Sequence, residues 1–208
     1  MERKPYEKEH YYSEKPKSKI QLALLRTYLR GQFFEFLTCA SVFSKKRIDI
    51  GTRLLVESMI LPKEGDFLDL GCGYGPVGIA AAKMSPRIHV VMTDVNERAV
   101  WLAKKNLKRN RIKNAKAHQG FMYEPVEGRR FKTILSNPPV SAGMEIVTSI
   151  IQGAPSHLTE DGLFQLVVRS RKGGKRLFSE LEKTFDNVEV LARRSGYRVL
   201  YSKNLKTK

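Results

Sequence analysis

The residues with the clearest capacity for chemistry form a glycine loop. Gly71, Gly73 and Gly75 occupy alternate positions after an apolar run that includes Asp69, and helix-forming residues follow at once. Glycine tolerates positive φ angles and lets backbone N–H groups approach a ligand closely. The next apolar run ends in Asp94, at about the 20-residue spacing that suits a carboxylate binding a ribose hydroxyl. The spacing predicts a nucleotide-binding turn between a strand and a helix.

A second candidate is the sequence Asn137, Pro138, Pro139, which follows the apolar residues 131–135. The amide oxygen of Asn137 and the carbonyl oxygen of Pro138 can accept hydrogen bonds from one NH2 group. Pro139 restricts the residue before it to extended geometry, so the loop is stiff. These acceptors could hold an amine and direct its lone pair towards an electrophile. A rigid turn is the alternative interpretation. A dinucleotide dehydrogenase shares the glycine loop but does not account for this motif.

An alternation of strands and helices must position these motifs. Strands are predicted at residues 67–70, 90–93, 115–119, 131–135, 163–168, 188–192 and 197–201, and helices at 77–84, 97–110, 144–157 and 175–185. This order predicts an α/β fold with a parallel sheet that helices cover on both faces. The last two strands should form an antiparallel pair.

Before residue 66, the sequence signals for strands and helices are weaker. Residues 21–30 are predicted as a helix, and residues 33–38 and 40–44 as short strands. Asp49 is predicted to cap a helix that ends near residue 60. No apolar run approaches the roughly 20 residues of a membrane span.

A length of 208 residues suits one domain with a sizeable core and a short extension. Residues 1–19 hold two prolines and ten charged side chains, which predicts a charged N-terminal arm. A single domain is expected over residues 20–208. Within it, residues 20–62 form a helix and hairpin extension, and residues 63–208 form a Rossmann-like core.

The charge of the chain indicates a polyanionic partner. Lys and Arg number 38 against 21 Asp and Glu, which gives a net charge of +17 and a pI near 10.0. A single run of basic residues is usually a solvated face. Here the excess of Lys and Arg is concentrated in four runs, which favours a polyanionic partner such as RNA. The basic RNA-contact candidates are Lys45, Lys46, Arg47, Arg169, Arg171 and Lys172.

The cysteines indicate a reducing compartment. Only two are present, and Cys72 lies in the glycine loop, where a disulfide would obstruct a ligand, so a reducing cytoplasm is expected. The sequence shows no cluster of metal ligands, so no metal site is expected.

Several motifs together resemble one family, the small-subunit ribosomal RNA guanine-N2 methyltransferases and their stand-alone archaeal homologues. The matching motifs lie at residues 41–44, 49–52, 69–75, 137–139 and 196–199, and the likeness runs from about residue 10 to 205. The resemblance implies a class I methyltransferase fold, with a seven-stranded, mostly parallel sheet and an antiparallel last strand. It also implies S-adenosylmethionine as the cofactor. Bacterial relatives carry a second copy of the domain, for which 208 residues leave no room, so the chain resembles the archaeal type.

The resemblance also implies roles for particular residues. The catalytic residues would be Asn137, Pro138 and Pro139, and those that bind the cofactor would be Asp49, Thr52, Asp69, Gly71, Gly73, Gly75, Asp94, Phe121 and Asn137. Two positions depart from the family. Residues 119–121 lack the usual carboxylate for the adenine amine, so Phe121 and backbone groups are expected to hold adenine. Val140 replaces a common aromatic residue, and Phe43 is the candidate to stack on the target base, with a core role as its alternative.

The predicted reaction is methyl transfer to an exocyclic amine of an RNA base, with guanine N2 of small-subunit ribosomal RNA as the leading target. Cytidine N4, methylated once or twice, and adenine N6 remain open, as does a tRNA substrate. Protein glutamine N5 is disfavoured by Val140 and by the net charge of +17. A non-catalytic RNA-binding assembly protein is disfavoured because the glycine loop, Asp94 and Asn137 are all intact.

Overall fold

The computed structural model describes residues 20–39, 42, 47–138, 143–171 and 173–205. Its strands are β1 (Leu22–Leu29), β2 (Gln32–Cys39), β3 (Gly65–Leu70), β4 (Ile88–Asp94), β5 (Ala115–Gln119), β6 (Phe131–Ser136), β7 (Leu158–Arg169), β8 (Glu189–Arg194) and β9 (Tyr197–Lys203). Its helices are α1 (Ile50–Ser58), α2 (Pro76–Met84), α3 (Glu97–Arg109), α4 (Met144–His157) and α5 (Gly174–Phe185), with a 3₁₀ turn at Glu124–Val126. The predicted arm at residues 1–19 and most of the predicted strand at 40–44 lie outside the described ranges.

Seven strands form one sheet in the order β5-β4-β3-β6-β7-β9-β8. Strands β3 to β7 pair in parallel, whereas β9 is antiparallel to both β7 and β8. The predicted mostly parallel sheet with a reversed last strand is therefore confirmed. Because β4 and β6 lie on opposite sides of β3, the strand order reverses beside β3. Ligands bind at this position in open α/β sheets, outside the carboxyl ends of the strands.

Successive side chains of a strand pack into two hydrophobic clusters, one on each face of the sheet. Phe67 of β3 packs in a cluster with side chains of α1, α2 and α3, whereas Leu68 packs with those of α4 and α5. Both side chains are fully buried, and each contributes about 1.5–3 kcal/mol by leaving water. Helices thus cover both faces, as predicted, and hold the strand ends in place.

The predicted helix at residues 21–30 is wrong. Strand β1 occupies this segment and pairs along its whole length with the antiparallel β2. Arg30 and Gly31 form the turn with φ angles of 44° and 76°, and two positive φ angles match the twist of a two-residue hairpin. Leucine and alanine favour helix locally, but pairing with β2 prevails because Phe34 and Phe36 are fully buried against the helices.

Side-chain amides of α3 attach this hairpin to the rest of the molecule. Asn106 accepts a hydrogen bond from the N–H of Leu37 at 2.6 Å and donates to its carbonyl oxygen at 3.0 Å. Asn110 bonds the backbone of Glu35 in the same way, at 3.1 and 2.7 Å. The outer edge of β2 therefore has partners for its backbone groups, which an unpaired edge strand lacks.

The described ranges also bear on membranes and metals. None of their helices combines the length and the apolar character that crossing a bilayer requires. They contain no group of three or more His, Cys, Asp or Glu side chains arranged to hold a metal ion. The side chains of Cys39 and Cys72 are both buried, and neither cysteine forms a disulfide.

Candidate functional site

Three neighbouring parallel strands end at one edge of the sheet and carry the predicted chemistry. Strand β3 leads into Gly71, β4 ends in Asp94, and β6 leads into Asn137. Leu70 pairs with Ser136 in the register of β3 and β6. The buried Ser136 hydroxyl donates a hydrogen bond to the Leu70 carbonyl oxygen at 2.8 Å. The residue before the glycine loop is thus bonded to the residue before Asn137, which fixes the two motifs side by side.

The glycine loop is a cradle of backbone groups with space on its outer side. The φ angles of Gly71, Gly73 and Gly75 are 75°, 56° and 93°, a region that residues with a Cβ rarely adopt. The N–H groups of Gly71 and Cys72 both donate to the carbonyl oxygen of Thr93 at 2.9 Å. A Cβ atom on Gly71 or Gly73 would meet no heavy atom within 4 Å. The loop is therefore held at the end of β4 while its outer side remains open to a ligand.

Asp94 fastens this loop and faces the same space. Its Oδ2 accepts a hydrogen bond from the N–H of Gly73 at 2.8 Å, and its Oδ1 accepts one from the N–H of Asn96 at 2.9 Å. Burial raises the pKa of Asp94 to about 6, and the two backbone bonds act in the opposite direction. A carboxylate has about four acceptor positions, so two remain for hydroxyl groups of a ribose. The ribose contact itself stays a prediction.

Asp69 lies buried beneath the loop. Its Oδ2 accepts a hydrogen bond from the N–H of Gly78, in the first turn of α2, at 2.8 Å. Burial raises the pKa of Asp69 to about 7, the Gly78 bond lowers it, and the charge of Asp94 raises it. A Cβ atom on Gly78 would lie 2.5 Å from the Met92 side chain, so this packing requires glycine. Asp69 anchors α2 to β3, and its predicted contact with a cofactor stays a prediction.

A distant residue holds the side chain of Asn137. Its Nδ2 donates a hydrogen bond to Oγ1 of Thr52, 85 positions away in the chain, at 2.8 Å. Thr52 lies in the first turn of α1, where the N-cap residue Asp49 accepts a bond from its backbone N–H at 3.1 Å. Among the residues that the structure describes, none bonds Oδ1 of Asn137. Asp49 and Thr52 thus position Asn137, and their predicted contact with a cofactor stays a prediction.

One cavity of about 190 Å³ joins these groups. The predicted residues that line it are Asp49, Thr52, Asp69, Gly71, Gly73, Asp94, Phe121, Asn137 and Pro138. Gly75 is not among its lining residues; it is the N-cap of α2, where a Cβ atom would lie 2.9 Å from Ile79. Ile146 and Ile150 of α4 also line the cavity and were not predicted to. Their helical spacing is the same as that of core residues, so periodicity gave no signal.

Phe121 borders the cavity on the side of β4 and β5. Its side chain is 43% exposed, and its backbone N–H donates to Oε2 of Glu124 at 3.1 Å. The N–H of Gly120 donates to the carbonyl oxygen of Asp94 at 3.1 Å, which holds this segment at the end of β4. An exposed ring in this place can stack on a flat base. The predicted adenine contact stays a prediction.

The predicted RNA-contact residues that fall within the described ranges lie on the surface rather than in the cavity. Arg47, Arg169 and Arg171 are exposed, and Arg169 ends β7 at the same sheet edge as Asn137. The guanidinium carbon of Arg169 lies 5.3 Å from the centre of the Tyr197 ring. The predicted site residues that fall outside the described ranges are Phe43, Lys45, Lys46, Pro139 and Lys172.

Known proteins resemble this chain over most of its length. The profile of the family described as "Methyltransferase small domain" matches residues 34–201. The chain belongs to this family. The matched range includes the glycine loop, Asp94 and Asn137, together with all seven strands of the main sheet up to residue 201.

Relatives of this methyltransferase small domain differ in length. An uncharacterized protein of Bacillus subtilis, YbxB, is 39% identical over 199 residues, which cover 95% of this chain and 99% of that protein. "Ribosomal RNA small subunit methyltransferase C" of Haemophilus influenzae strain Rd is 33% identical over 186 residues, covering 86% of this chain and 54% of that protein. The chain thus spans about half the length of the relatives that carry this name. Since YbxB is bacterial, the shorter form also occurs in bacteria, and the archaeal type stays a prediction.

Solved structures of other proteins share the fold of this methyltransferase small domain. The 16S rRNA N2 G1207 methyltransferase RsmC of T. thermophilus, in complex with AdoMet and guanosine, superposes with a TM-score of 0.79 at 27% identity, covering 90% of this chain and 52% of that one. A methyltransferase of Pyrococcus furiosus has a TM-score of 0.60 at 21% identity, covering 70% and 78%. The sheet with its reversed last strand is therefore a class I methyltransferase fold, as the sequence predicted.

Proposed function

We propose that this protein transfers the methyl group of S-adenosylmethionine to the exocyclic N2 amine of a guanine in small-subunit ribosomal RNA. The observation that carries the proposal is the amide of Asn137. Its nitrogen is bonded to Thr52, and its oxygen has no partner within the described ranges. Asn137 lines the same cavity as Gly71 and Gly73. An acceptor for an amine and a cradle for a nucleotide therefore share one site.

The residues on the cradle side fit a nucleotide-like methyl donor. Gly71 and Gly73 offer backbone groups with open space above them, and Asp94 retains acceptor capacity for ribose hydroxyls. Phe121 offers an exposed ring beside them. When bound, S-adenosylmethionine supplies an electrophilic methyl group on its sulfonium. The protein's main task is then to align the target nitrogen with that group.

Asn137 and Pro138 would make the target amine a better nucleophile. An amine conjugated to a purine ring has a delocalised lone pair and reacts poorly. Hydrogen bonds from the NH2 group to Oδ1 of Asn137 and to the carbonyl oxygen of Pro138 favour the pyramidal amine and stabilise the positive charge that develops on nitrogen. Thr52 keeps the amide of Asn137 in the orientation that presents its oxygen. The extra proton can leave to water, so the proposal needs no buried base.

The nature of the target is supported by charge and by relatives. A base inside a duplex cannot reach this cavity, so the target must be unpaired or flipped out. The net charge of +17 favours a polyanion. Relatives are named ribosomal RNA small subunit methyltransferase C, and the similar RsmC structure contains guanosine. With ribosomal RNA as its substrate, we also propose a cytoplasmic location.

The decisive experiment is methyl transfer from isotope-labelled S-adenosylmethionine, followed by mass spectrometry of the nucleosides. Purified protein is incubated separately with free small-subunit RNA, assembled small subunits, tRNA and a protein mixture, and Asn137→Ala is run in parallel. Label in N2-methylguanosine from small-subunit RNA, absent with Asn137→Ala, is the expected result. Label in N4-methylcytidine, in tRNA alone or in glutamine would replace the proposed target. Absence of label in every fraction would contradict an enzymatic role.

A further inference from the structure

A second concavity lies on the surface at the turn between β8 and β9. Its lining residues are Ser170, Arg193, Arg194, Ser195, Gly196, Tyr197 and Arg198. Three arginines and two serines therefore border one space, and no Asp or Glu is among these residues. Within the described ranges no ion pair is recorded for Arg193, Arg194 or Arg198. A concentration of positive charge that no carboxylate of the described residues neutralises suits an anionic ligand.

The concavity is held in shape by its own backbone and side chains. Ser195 and Gly196 have φ angles of 48° and 79°, and two positive φ angles make the tight hairpin turn that joins β8 to β9. The N–H of Ser170 donates to the carbonyl oxygen of Gly196 at 2.8 Å. Nε of Arg198 donates to the Ser170 hydroxyl at 3.1 Å. The turn is thereby bonded to the end of β7, while Arg193 and Arg194 are exposed at its rim.

This concavity is connected to the proposed transfer site through Tyr197 and Gly51. Tyr197 pairs with Arg169 across β7 and β9, and a Cβ atom on Gly51 would lie 3.0 Å from the Tyr197 ring. Gly51 immediately precedes Thr52, which bonds Asn137. Tyr197 lies two strands away from Ser136 in the sheet order β6-β7-β9 and three residues further along the strand direction. At about 4.8 Å per strand and about 3.3 Å per residue, the two residues are roughly 14 Å apart. A few nucleotides of a single strand can span this distance.

We propose that this concavity binds backbone phosphates of the RNA strand within a few nucleotides of the target, an inference that rests on the proposed function. Arginine binds phosphate oxygens through two parallel N–H groups, and serine hydroxyls can add neutral hydrogen bonds. A strand anchored there presents a nearby nucleotide to Asn137 in an unstacked form. Arg169 and Arg171 extend the same positive surface. The first turn of α5, which follows them, contains no acidic residue.

The test compares two charge-matched double variants of the whole chain. Arg193→Ala with Arg194→Ala removes two cations from the rim of the concavity. Lys108→Ala with Lys113→Ala removes two exposed cations at the end of α3 and before β5, which lie at the opposite edge of the sheet. KM and kcat for small-subunit RNA, the salt dependence of RNA binding, and the Kd for S-adenosylmethionine are measured for both.

The arginine variant should raise KM for RNA about tenfold and lower the slope of log affinity against log salt by about 1.4, because each single-strand phosphate contributes about 0.7. Its kcat and its Kd for S-adenosylmethionine should stay within about twofold of wild type, which also shows that it folds. Equal effects of the two double variants, or a loss in kcat alone, would overturn the inference and leave the proposed function standing. If wild-type protein methylates no RNA, the proposed function itself fails.

Discussion

Two regions at the same edge of the sheet differ in how their polar groups are used. Around the glycine loop, backbone and carboxylate groups are bonded to one another: Asp94 holds Gly73, and Asp69 holds α2 through Gly78. At the turn between β8 and β9, by contrast, Arg193 and Arg194 are exposed, with no ion pair recorded within the described ranges. The first region is preorganised by short-range bonds, whereas the second offers charge to a partner.

This difference leads to separable functions. A site that must align a nitrogen with a methyl group requires positions fixed to a fraction of an ångström, and a network of buried bonds provides that. A surface that captures a long polyanion needs charge and exposure rather than fixed positions. Changes near the glycine loop should therefore affect cofactor binding and rate. Changes at the arginine turn should affect RNA affinity and its dependence on salt.

Asp94→Ala is the change with the largest expected effect. The variant loses two proposed charge-assisted hydrogen bonds to ribose, each worth about 1.5–3 kcal/mol, so affinity for S-adenosylmethionine should fall by roughly 10²–10⁴. Calorimetry measures this affinity. Asp66→Ala is the matched control, because Asp66 lies at the opposite end of β3 and pairs with Arg129. Unchanged affinity in the Asp94 variant would remove that residue from the cofactor site, and a similar loss in RNA affinity would break the separation of the two regions.

Thr52→Val tests whether the orientation of Asn137 limits the rate. Valine keeps the shape of threonine but removes the hydroxyl that Nδ2 of Asn137 bonds, so kcat should fall about 10- to 30-fold while the Kd for RNA stays constant. Thr52→Ser should recover most of the rate. Thr133→Val is the control, since the buried hydroxyl of Thr133 in β6 has no hydrogen-bond partner within the described ranges. A Thr52→Val enzyme with wild-type kcat would show that the contact does not position Asn137 for catalysis.

The pH dependence of cofactor affinity gives a smaller effect. Burial raises the pKa of Asp94 to about 6, and the ionised form is the better acceptor for ribose hydroxyls. Affinity for S-adenosylmethionine should therefore be full above that pKa and decline as the pH falls through it, to about one tenth at about pH 5. Calorimetry across this range should give a flat profile for Asp94→Asn. A wild-type profile that is flat between about pH 5 and 7.5 would contradict the assignment.

The sequence predicted most of the fold because its signals were local. The alternation of strands and helices from residue 66 onward, the cap at Asp49 and the hairpin around Ser195 and Gly196 each follow from neighbouring residues. The helix predicted at residues 21–30 failed because leucine and alanine carry a local helix preference, which pairing with β2 overrides. The early start of β7 at Leu158 was also missed, where Asp161 has a φ angle of 60° and the register shifts.

The candidate site was predictable in its motifs but not in its contacts. Glycine spacing and the Asn137 motif identified residues that the structure brings to one cavity. The bond between Asn137 and Thr52 joins residues 85 positions apart, and the bond between Ser136 and Leu70 joins residues 66 apart. Such pairs depend on how strands and helices pack, and no local pattern indicates them.

The most direct test of the account is the single-turnover rate of Asn137→Ala with saturating RNA and S-adenosylmethionine. Losing an acceptor used mainly in the transition state should lower this rate by about 10²–10³, while the Kd values for cofactor and RNA stay near wild type. Asn137→Asp should retain part of the activity, because a carboxylate oxygen also accepts hydrogen bonds. A rate for Asn137→Ala close to that of wild type on the native RNA would contradict the account, since Asn137, Pro138 and Pro139 would then form only a turn.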